Sequence, residues 1–283
     1  ELSSFQLQDL ALDRVSPHIA VLTNILPDHL NWHRTMQEYM RAKSVIFRFQ
    51  KKTDYLFANP DDPRVRMLAQ GAKSHVIMPR LSLRFRTLVD DRLGAHYRTS
   101  VALAIAVAKR RGIPEKNIRA VLGSFSGLEG RQQIMSMIKE VHVVNDTTAT
   151  IPDAAIAALH RFHRVKKKSA RIILIAGGSD KNLDYTAYAK AIRRSADTVI
   201  LLPGTATEKL KKSLANYSYH EAASMDEACK NAVASAQKDD WILLSPGAAS
   251  FGIFVNEFDR GKQFEDSMKK LKKKIDLLMN NFA

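Results

Sequence analysis

Four short runs of branched apolar residues, each closed by small or polar ones, limit most strongly what this chain can fold into. VHVVND at 141–146, RIILIAGG at 171–178, TVILLPG at 198–204 and WILLSPG at 241–247 have the length and composition of buried strands. Amphipathic stretches at 152–163, 185–195, 206–214 and 225–237 separate them and are long enough for helical crossovers. Near-continuous apolar strands alternating with helices predict a mostly parallel sheet covered on both faces, a doubly wound α/β domain. Ligands of such domains sit beyond the carboxyl ends of the strands, where Asn145-Asp146, Gly177-Gly178 and Ser245-Pro246-Gly247 are expected to gather.

The first half is less regular. It contains an apolar strand at 18–25, a helix at 35–49, a strand at 55–60 and a second helix at 98–111. Residues 61–91 show only weak periodicity and receive no assignment, and the opening at Glu1 reads as the end of a strand. Gly and Ser interrupt the patterns between Ser126 and Gly130, which places a boundary between domains spanning 1–128 and 129–283. No internal repeat or low-complexity tract is present.

With 283 residues and 45% hydrophobic content, the chain is long enough for two cores and is expected to be soluble and globular. No run approaches the roughly 18 apolar residues of a membrane span, and no basic-then-apolar leader opens the chain, so neither membrane insertion nor export is expected. The single cysteine, Cys229, can form no internal disulfide and has no companion for a metal site, which fits a reducing cytoplasm. The formal charge is +15, but residues 1–128 carry 20 Lys and Arg against 11 acids and the remainder 24 against 18. An excess spread this evenly, with no recognition-module signature, argues against a nucleic-acid partner. The clusters Lys166 to Lys168 and Lys269 to Lys274 read as solvated faces.

Several residues invite chemistry. The Asp28-His29 pair follows a buried strand; His29 there can ligate a metal, contact a phosphate, or be merely structural or exposed. Lys43, set among Tyr39, Met40, Ala42, Val45 and Ile46, is either partly buried with a depressed pKa or a snorkelling lysine. Arg131 can clamp a phosphate or carboxylate bidentately or simply face solvent. The Asn145-Asp146, Gly177-Gly178 and Ser245-Gly247 endings offer backbone donors and a carboxylate to an anionic ligand, or form ordinary tight turns.

Six strings then recur in a familiar order: ELSSFQLQ at 1–8, NILPDHLNWH at 24–33 with the Lys43 helix, GLEGR at 127–131, NDTTAT at 145–150, GGSDKNLDY at 177–185 and SPGAASFGIFVNEFDRG at 245–261. In order and spacing across nearly the whole chain they resemble the Mur ligases, and the SSFQ and SPGAASF strings favour the D-glutamate-adding branch over other Mur or folylpolyglutamate-type ligases. The resemblance implies part of a central ATPase domain followed by a Rossmann-like C-terminal domain. It also implies an ATP- and Mg²⁺-dependent amide ligation in the cytoplasm by a monomer, joining D-glutamate to UDP-N-acetylmuramoyl-L-alanine through an acyl phosphate. By the same resemblance Glu1, His29 and a carbamylated Lys43 match magnesium ligands, with His29 and Lys43 the catalytic pair. Ser3 and Gln6 match contacts to the muramoyl substrate, and Arg131, Asn145 and Asp146 match the nucleotide site. Thr150, Lys181 and Ser250 match the D-glutamate site, with Phe258 as a wall of that pocket. A carbamate makes the lysine an anionic oxygen ligand suited to Mg²⁺, and its formation needs a neutral amine.

Departures from the family pattern are also expected to matter. No Gly-x-x-x-x-Gly-Lys-Ser/Thr string occurs, so the phosphate-binding loop, like the UDP-binding domain, is expected upstream of Glu1, and the chain alone is expected to be inactive, with unpaired edges on its first sheet. The family's Gly-x-His-Asn-x-x-Asn segment appears as GAHYRTS, with Tyr97 and Ser100 replacing asparagines. Thr148 replaces a usual lysine, and the stretch from Asn59 to Gly94 is short enough to lack a hairpin. A non-catalytic module binding an amino acid or nucleotide is the alternative.

Overall fold

The computed structural model describes residues 1–280, and the chain divides into two compact units, Glu1–Ser126 and Gly127–Ala283. The first unit runs α1 (Ser4–Asp13), β1 (Ile19–Leu22), α2 (Leu30–His33), α3 (Met36–Arg48), β2 (Tyr55–Ala58), α4 (Pro63–Ala69), β3 (His75–Ile77), α5 (Leu83–Arg92), a 3-10 turn (Ala95–Tyr97), α6 (Arg98–Arg110) and α7 (Glu115–Ser124). Its three strands form a parallel sheet in the order β1-β2-β3, with Ile19 opposite Tyr55 and Tyr55 opposite His75. Ala20, Leu22 and Ile25 pack with Leu56, Ala58, Tyr39, Phe47 and Val65 into one core; Phe85, Val89, Val101, Ile105 and Ile118 of α5, α6 and α7 form a second.

One expectation for this unit is corrected and one unassigned stretch acquires structure. Residues 1–3 do not end a strand; they lead into α1. The cause is a capping box, in which Ser3 Oγ accepts from the Gln6 amide at 3.2 Å and Gln6 Oε1 accepts from the Ser3 amide at 2.8 Å. The unassigned stretch 61–91 holds α4, β3 and α5. α4 begins because Asp62 Oδ1 accepts from the Arg64 and Val65 amides at 2.8 and 3.0 Å and Pro63 supplies a preset first turn. The other Asp62 oxygen accepts from the Ile25 amide at 2.8 Å and fastens the loop after β1. β1 is an edge strand, as expected, and its Val21 remains 39% exposed.

The second unit runs β4 (Gln133–Ile134), β5 (His142–Asn145), α8 (Pro152–Val165), β6 (Ile172–Ala176), α9 (Thr186–Ser195), β7 (Thr198–Leu201), α10 (Thr205–Leu214), β8 (His220–Glu221), α11 (Met225–Ser235), β9 (Trp241–Leu244) and α12 (Glu257–Asn280). The sheet order is β4-β5-β9-β6-β7-β8, parallel except for the β4-β5 pair. β9 therefore lies between β5 and β6, and the loops following these three strands are neighbours at one edge. Val143, Ile173, Ile175, Ile200, Ile242 and Leu244 meet α11 and α12 in one core that includes Cys229. The intervening Ile172, Leu174 and Leu243 are equally buried and face the opposite side. There α8, α9 and α10 pack in a row. The doubly wound expectation holds, and the four strands read from the sequence form its centre.

Candidate functional site

In the first unit the residues singled out from the sequence collect beyond the carboxyl end of β1. Lys43, half-buried on α3, has its amine pKa lowered by burial, while the carboxylates of Asp28 and Glu1 act in the opposite direction. His29 caps α2 with a left-handed backbone (φ 53°), and its Nε2 lies 3.3 Å from Asp28 Oδ2. The Lys43 amine thus feels the two carboxylates of Glu1 and Asp28, and Asp28 in turn meets the His29 imidazole. Among the described residues no three His, Cys, Asp or Glu side chains stand close enough to hold a metal ion by themselves. Oxygen donors around an amine that burial inclines toward neutrality fit a hard divalent cation once that amine carries a carbamate.

Ser3 and Gln6 are occupied with each other as the helix cap, Ser3 half-buried and Gln6 exposed. Two side chains given no role from the sequence also belong to this corner. His33 is buried, accepts or donates through Nε2 to Ser4 Oγ at 2.8 Å, and has its pKa lowered by burial. Tyr39 packs against His33 with ring centroids 5.2 Å apart, and burial pushes its phenol up to about 12.

In the second unit the loops after β5, β6 and β9 are tied into one structure. The Gly247 amide donates to the Ala149 carbonyl at 2.8 Å, Ser179 and Ala249 exchange backbone bonds of 2.8 and 3.0 Å, and the Gly177 amide donates to the Pro246 carbonyl at 3.0 Å. Gly247 adopts φ 65°, and a Cβ there would lie 2.5 Å from the Tyr188 ring. The glycines at these strand ends therefore permit close packing of loops.

Thr150, Lys181 and Ser250 stand on these three loops. Lys181 Nζ donates to Thr150 Oγ1 at 3.3 Å. Ser250 is 2% exposed, and its hydroxyl has no hydrogen-bond partner among the described residues. Phe258, by contrast, lies on the first turn of α12 and is 67% exposed.

Asn145 and Asp146 face inward. Asn145 accepts from the Thr147 amide at 3.1 Å and donates to Glu265 Oε1 at 3.1 Å, linking β5 to α12. Asp146 accepts from the Gln132 amide at 3.0 Å and from Ser245 Oγ at 2.7 Å. Burial pushes the Asp146 carboxyl up to about 7, and the two hydrogen bonds with the nearby Arg131 and Arg161 guanidiniums restrain the rise. Arg131 itself is exposed, beside this corner. Thr148, in the usual lysine position, donates its hydroxyl to the Gly130 carbonyl at 2.9 Å.

The residue least legible beforehand is Arg260, fully buried on α12. Its guanidinium donates to the Thr147 carbonyl at 2.7 Å, Thr147 Oγ1 at 3.2 Å and the Ala248 carbonyl at 3.0 Å. Burial lowers its pKa to about 10. Arg260 stood inside a quoted motif, but an arginine next to the end of an apolar-polar string looks solvent-facing until the loops close over it.

Comparison with known proteins agrees with this architecture. Residues 1–88 match the Mur ligase middle domain and residues 130–247 match the Mur ligase, glutamate ligase domain. A UDP-N-acetylmuramoylalanine–D-glutamate ligase of Roseiflexus sp. (strain RS-1) is 35% identical over 93% of this chain and 63% of its own length. The enzyme of that name from Symbiobacterium thermophilum is 36% identical over 96% of this chain and 64% of its own. The chain thus spans a little under two thirds of these curated relatives. Among solved structures, MurF ligase from Thermotoga maritima in complex with ADP superimposes with a TM-score of 0.68 at 15% identity, covering 96% of this chain and 66% of that one. E. coli FolC in complex with DHPP and ADP gives 0.66 at 20% identity, covering 92% and 63%. With both family domains present in order and relatives matching along nearly all of its residues, this chain belongs to the Mur ligase family.

Proposed function

We propose that this chain contributes the central and C-terminal parts of an ATP-dependent ligase that joins D-glutamate to UDP-N-acetylmuramoyl-L-alanine in the cytoplasm. The observation that carries the reading is the Lys181–Thr150 hydrogen bond beside the loop holding the buried Ser250 hydroxyl. A cation, two hydroxyls and abundant backbone amides at one sheet edge suit a small amino acid with two carboxylates. The relatives named as D-glutamate ligases support the same choice of amino acid.

The reaction transfers the terminal phosphoryl group of ATP to the alanine carboxylate, and the D-glutamate amine then displaces phosphate to form the amide. Every participant is anionic, so the protein must neutralise charge. Glu1, His29 and Lys43 as its carbamate would hold Mg²⁺, which supplies Lewis-acid charge neutralisation when bound. Asp28 sits against the same group, orienting His29 across 3.3 Å. Ser3 and Gln6, at the start of α1, face the muramoyl substrate. Arg131 and the Asn145–Asp146 corner form the nucleotide side; Asp146 acts from beneath, by fastening the Gln132 amide next to Arg131. Lys181 and Thr150 orient a D-glutamate carboxylate, and Ser250 donates to the same substrate. The protein works as a monomer.

The test is phosphate release with ATP, Mg²⁺, UDP-N-acetylmuramoyl-L-alanine and glutamate, measured on this chain and on a product extended by whatever coding sequence lies upstream of the Glu1 codon. The expected result is release by the extended product that requires all four components and D- rather than L-glutamate. A folded extended product that releases no phosphate under these conditions overturns the assignment. On the chain itself, calorimetry should detect D-glutamate, and Lys181→Ala should abolish the heat.

A further inference from the structure

The end of the second unit remote from the Lys181 loop concentrates positive charge. The turns that precede β5, β6 and β9 are tied together there: the Asp239 amide donates to the Glu140 carbonyl at 3.0 Å and the Trp241 amide to the Arg171 carbonyl at 2.9 Å. Acids in these turns are taken up, Glu140 by Lys238 at 2.6 Å, Asp239 by Lys167 at 2.8 Å and Asp240 by Arg171 at 2.7 Å. α12 reaches the same end. It starts beside Thr147 and passes Asn145 at Glu265, so it runs against the direction of β5, and its Leu271 and Ile275 pack on the core that holds Ile138 and Val141 at the foot of that strand. Lys270, Lys273, Lys274 and Leu277, at the spacing of one helix face, form an exposed stripe. Lys168, Lys273 and Lys274 enter no ion pair among the described residues. Compensation of helix dipoles accounts for Arg164 in the last turn of α8, but Lys168 lies beyond that helix and Lys273 and Lys274 precede the last turn of α12, which holds no cation.

We infer that this end docks on the surface of a bilayer that carries anionic phospholipid. Charge complementarity supplies the attraction, since each lysine close to such a surface strengthens binding roughly fivefold. The side chains standing among the lysines select the occupant. Val165, immediately before Lys166 to Lys168, is 58% exposed, and Leu277, one helical turn past Lys273 and Lys274, is 56% exposed. Each basic cluster therefore carries an aliphatic tip. An aliphatic side chain gains little from the phosphate backbone of a nucleic acid and cannot stack on bases as an aromatic ring does. A bilayer offers both partners in layers, phosphates at the headgroup level for the lysines and hydrocarbon about 5–10 Å deeper for the tips. Docked in this way, the loops bearing Thr150, Lys181 and Ser250 at the carboxyl ends of the strands point away from the lipid and stay open to small molecules.

The test is sedimentation of the chain with vesicles of phosphatidylcholine alone and of phosphatidylcholine mixed with phosphatidylglycerol. Binding is expected to the mixed vesicles only and to weaken as salt rises. Lys168→Gln, Lys273→Gln and Lys274→Gln combined should weaken it about a hundredfold, three charges at the factor above. Val165→Ser with Leu277→Ser should weaken it about tenfold, the loss of two partly inserted aliphatic groups. Both variants should keep the melting temperature of the unaltered chain, because all the altered side chains are exposed. Failure of the unaltered chain to sediment with the mixed vesicles, or equal sedimentation of the triple-glutamine variant, overturns the docking surface. Unchanged binding by the serine pair overturns it in favour of a contact made by charge alone, such as nucleic acid, which titration with duplex DNA then detects. The ligase reading is untouched by any of these outcomes.

Discussion

Arg260 grips Thr147 twice, Nη2 on the carbonyl at 2.7 Å and Nε on the hydroxyl at 3.2 Å, and Thr147 in turn donates to the Glu257 carbonyl at 2.7 Å. A third bond to Ala248 joins the loops after β5 and β9 to α12 through one buried guanidinium. Among the described residues the guanidinium forms no ion pair with a carboxylate, so its hydrogen bonds must offset much of the desolvation. Arg260→Met removes the donors and leaves the buried Thr147 and Ala248 carbonyls without them. Its unfolding free energy should fall by about 3 kcal/mol. A urea denaturation midpoint equal to that of the unaltered chain would refute this role.

The Asp146 carboxyl carries a pH signature. Its folded pKa of about 7 lies above the ordinary 3.8, so the folded state holds a proton that the unfolded state releases. The stabilisation is complete below about pH 4, declines as pH rises, and is gone above about pH 7. Asp146→Asn should flatten this part of the profile. Melting temperatures of the two proteins from pH 4 to 8 provide the measurement, and parallel curves would count against a buried, protonated Asp146.

Lys43 should respond to carbon dioxide. Burial lowers its proton affinity and so favours the neutral amine that forms a carbamate. Mn²⁺ binding, followed by electron paramagnetic resonance, is expected to weaken at least about tenfold on removing dissolved carbon dioxide, as loss of one charged ligand requires. Lys43→Ala should bind weakly under both conditions. Carbon-dioxide-independent binding by the unaltered chain would show that the amine is not converted.

Ser3 has a structural task separable from any substrate contact. As the N-cap of α1 in a reciprocal pair with Gln6, it should contribute about 1 kcal/mol with no ligand present. Ser3→Ala is expected to lower stability by that amount and Ser3→Asp to restore it, since aspartate also caps. Unchanged thermal stability in Ser3→Ala would leave the capping box without energetic weight.

How much was legible follows from what each element depends on. β5, β6, β7 and β9 carry their own signal, because strands buried on both faces must be continuously apolar. β3 carried none: three residues, two of them exposed, take their place only by pairing with β2. The opening at Glu1 leads into α1 and not out of a strand, and the Ser3-x-x-Gln6 spacing that caps the helix is a signal local to those four residues. Asn145 and Asp146 stood out as polar strand endings, yet the sequence could not tell that their side chains turn inward to Glu265, Ser245 and Gln132.

Local pattern alone determined the doubly wound second unit, the helix bearing Lys43 and the loops that carry Thr150, Lys181 and Ser250, since periodicity and turn chemistry act over a few residues. Only the tertiary structure decided which polar groups meet: Lys181 with Thr150 across 31 positions, Asp146 with Ser245 across 99, Arg260 with Thr147 across 113. Such pairs depend on strand order, and insertion of β9 between β5 and β6 brings the ends of distant segments together. Burial then raises the pKa of Asp146 and lowers that of Arg260, because desolvation is a property of the closed fold and not of any residue's neighbours in the chain.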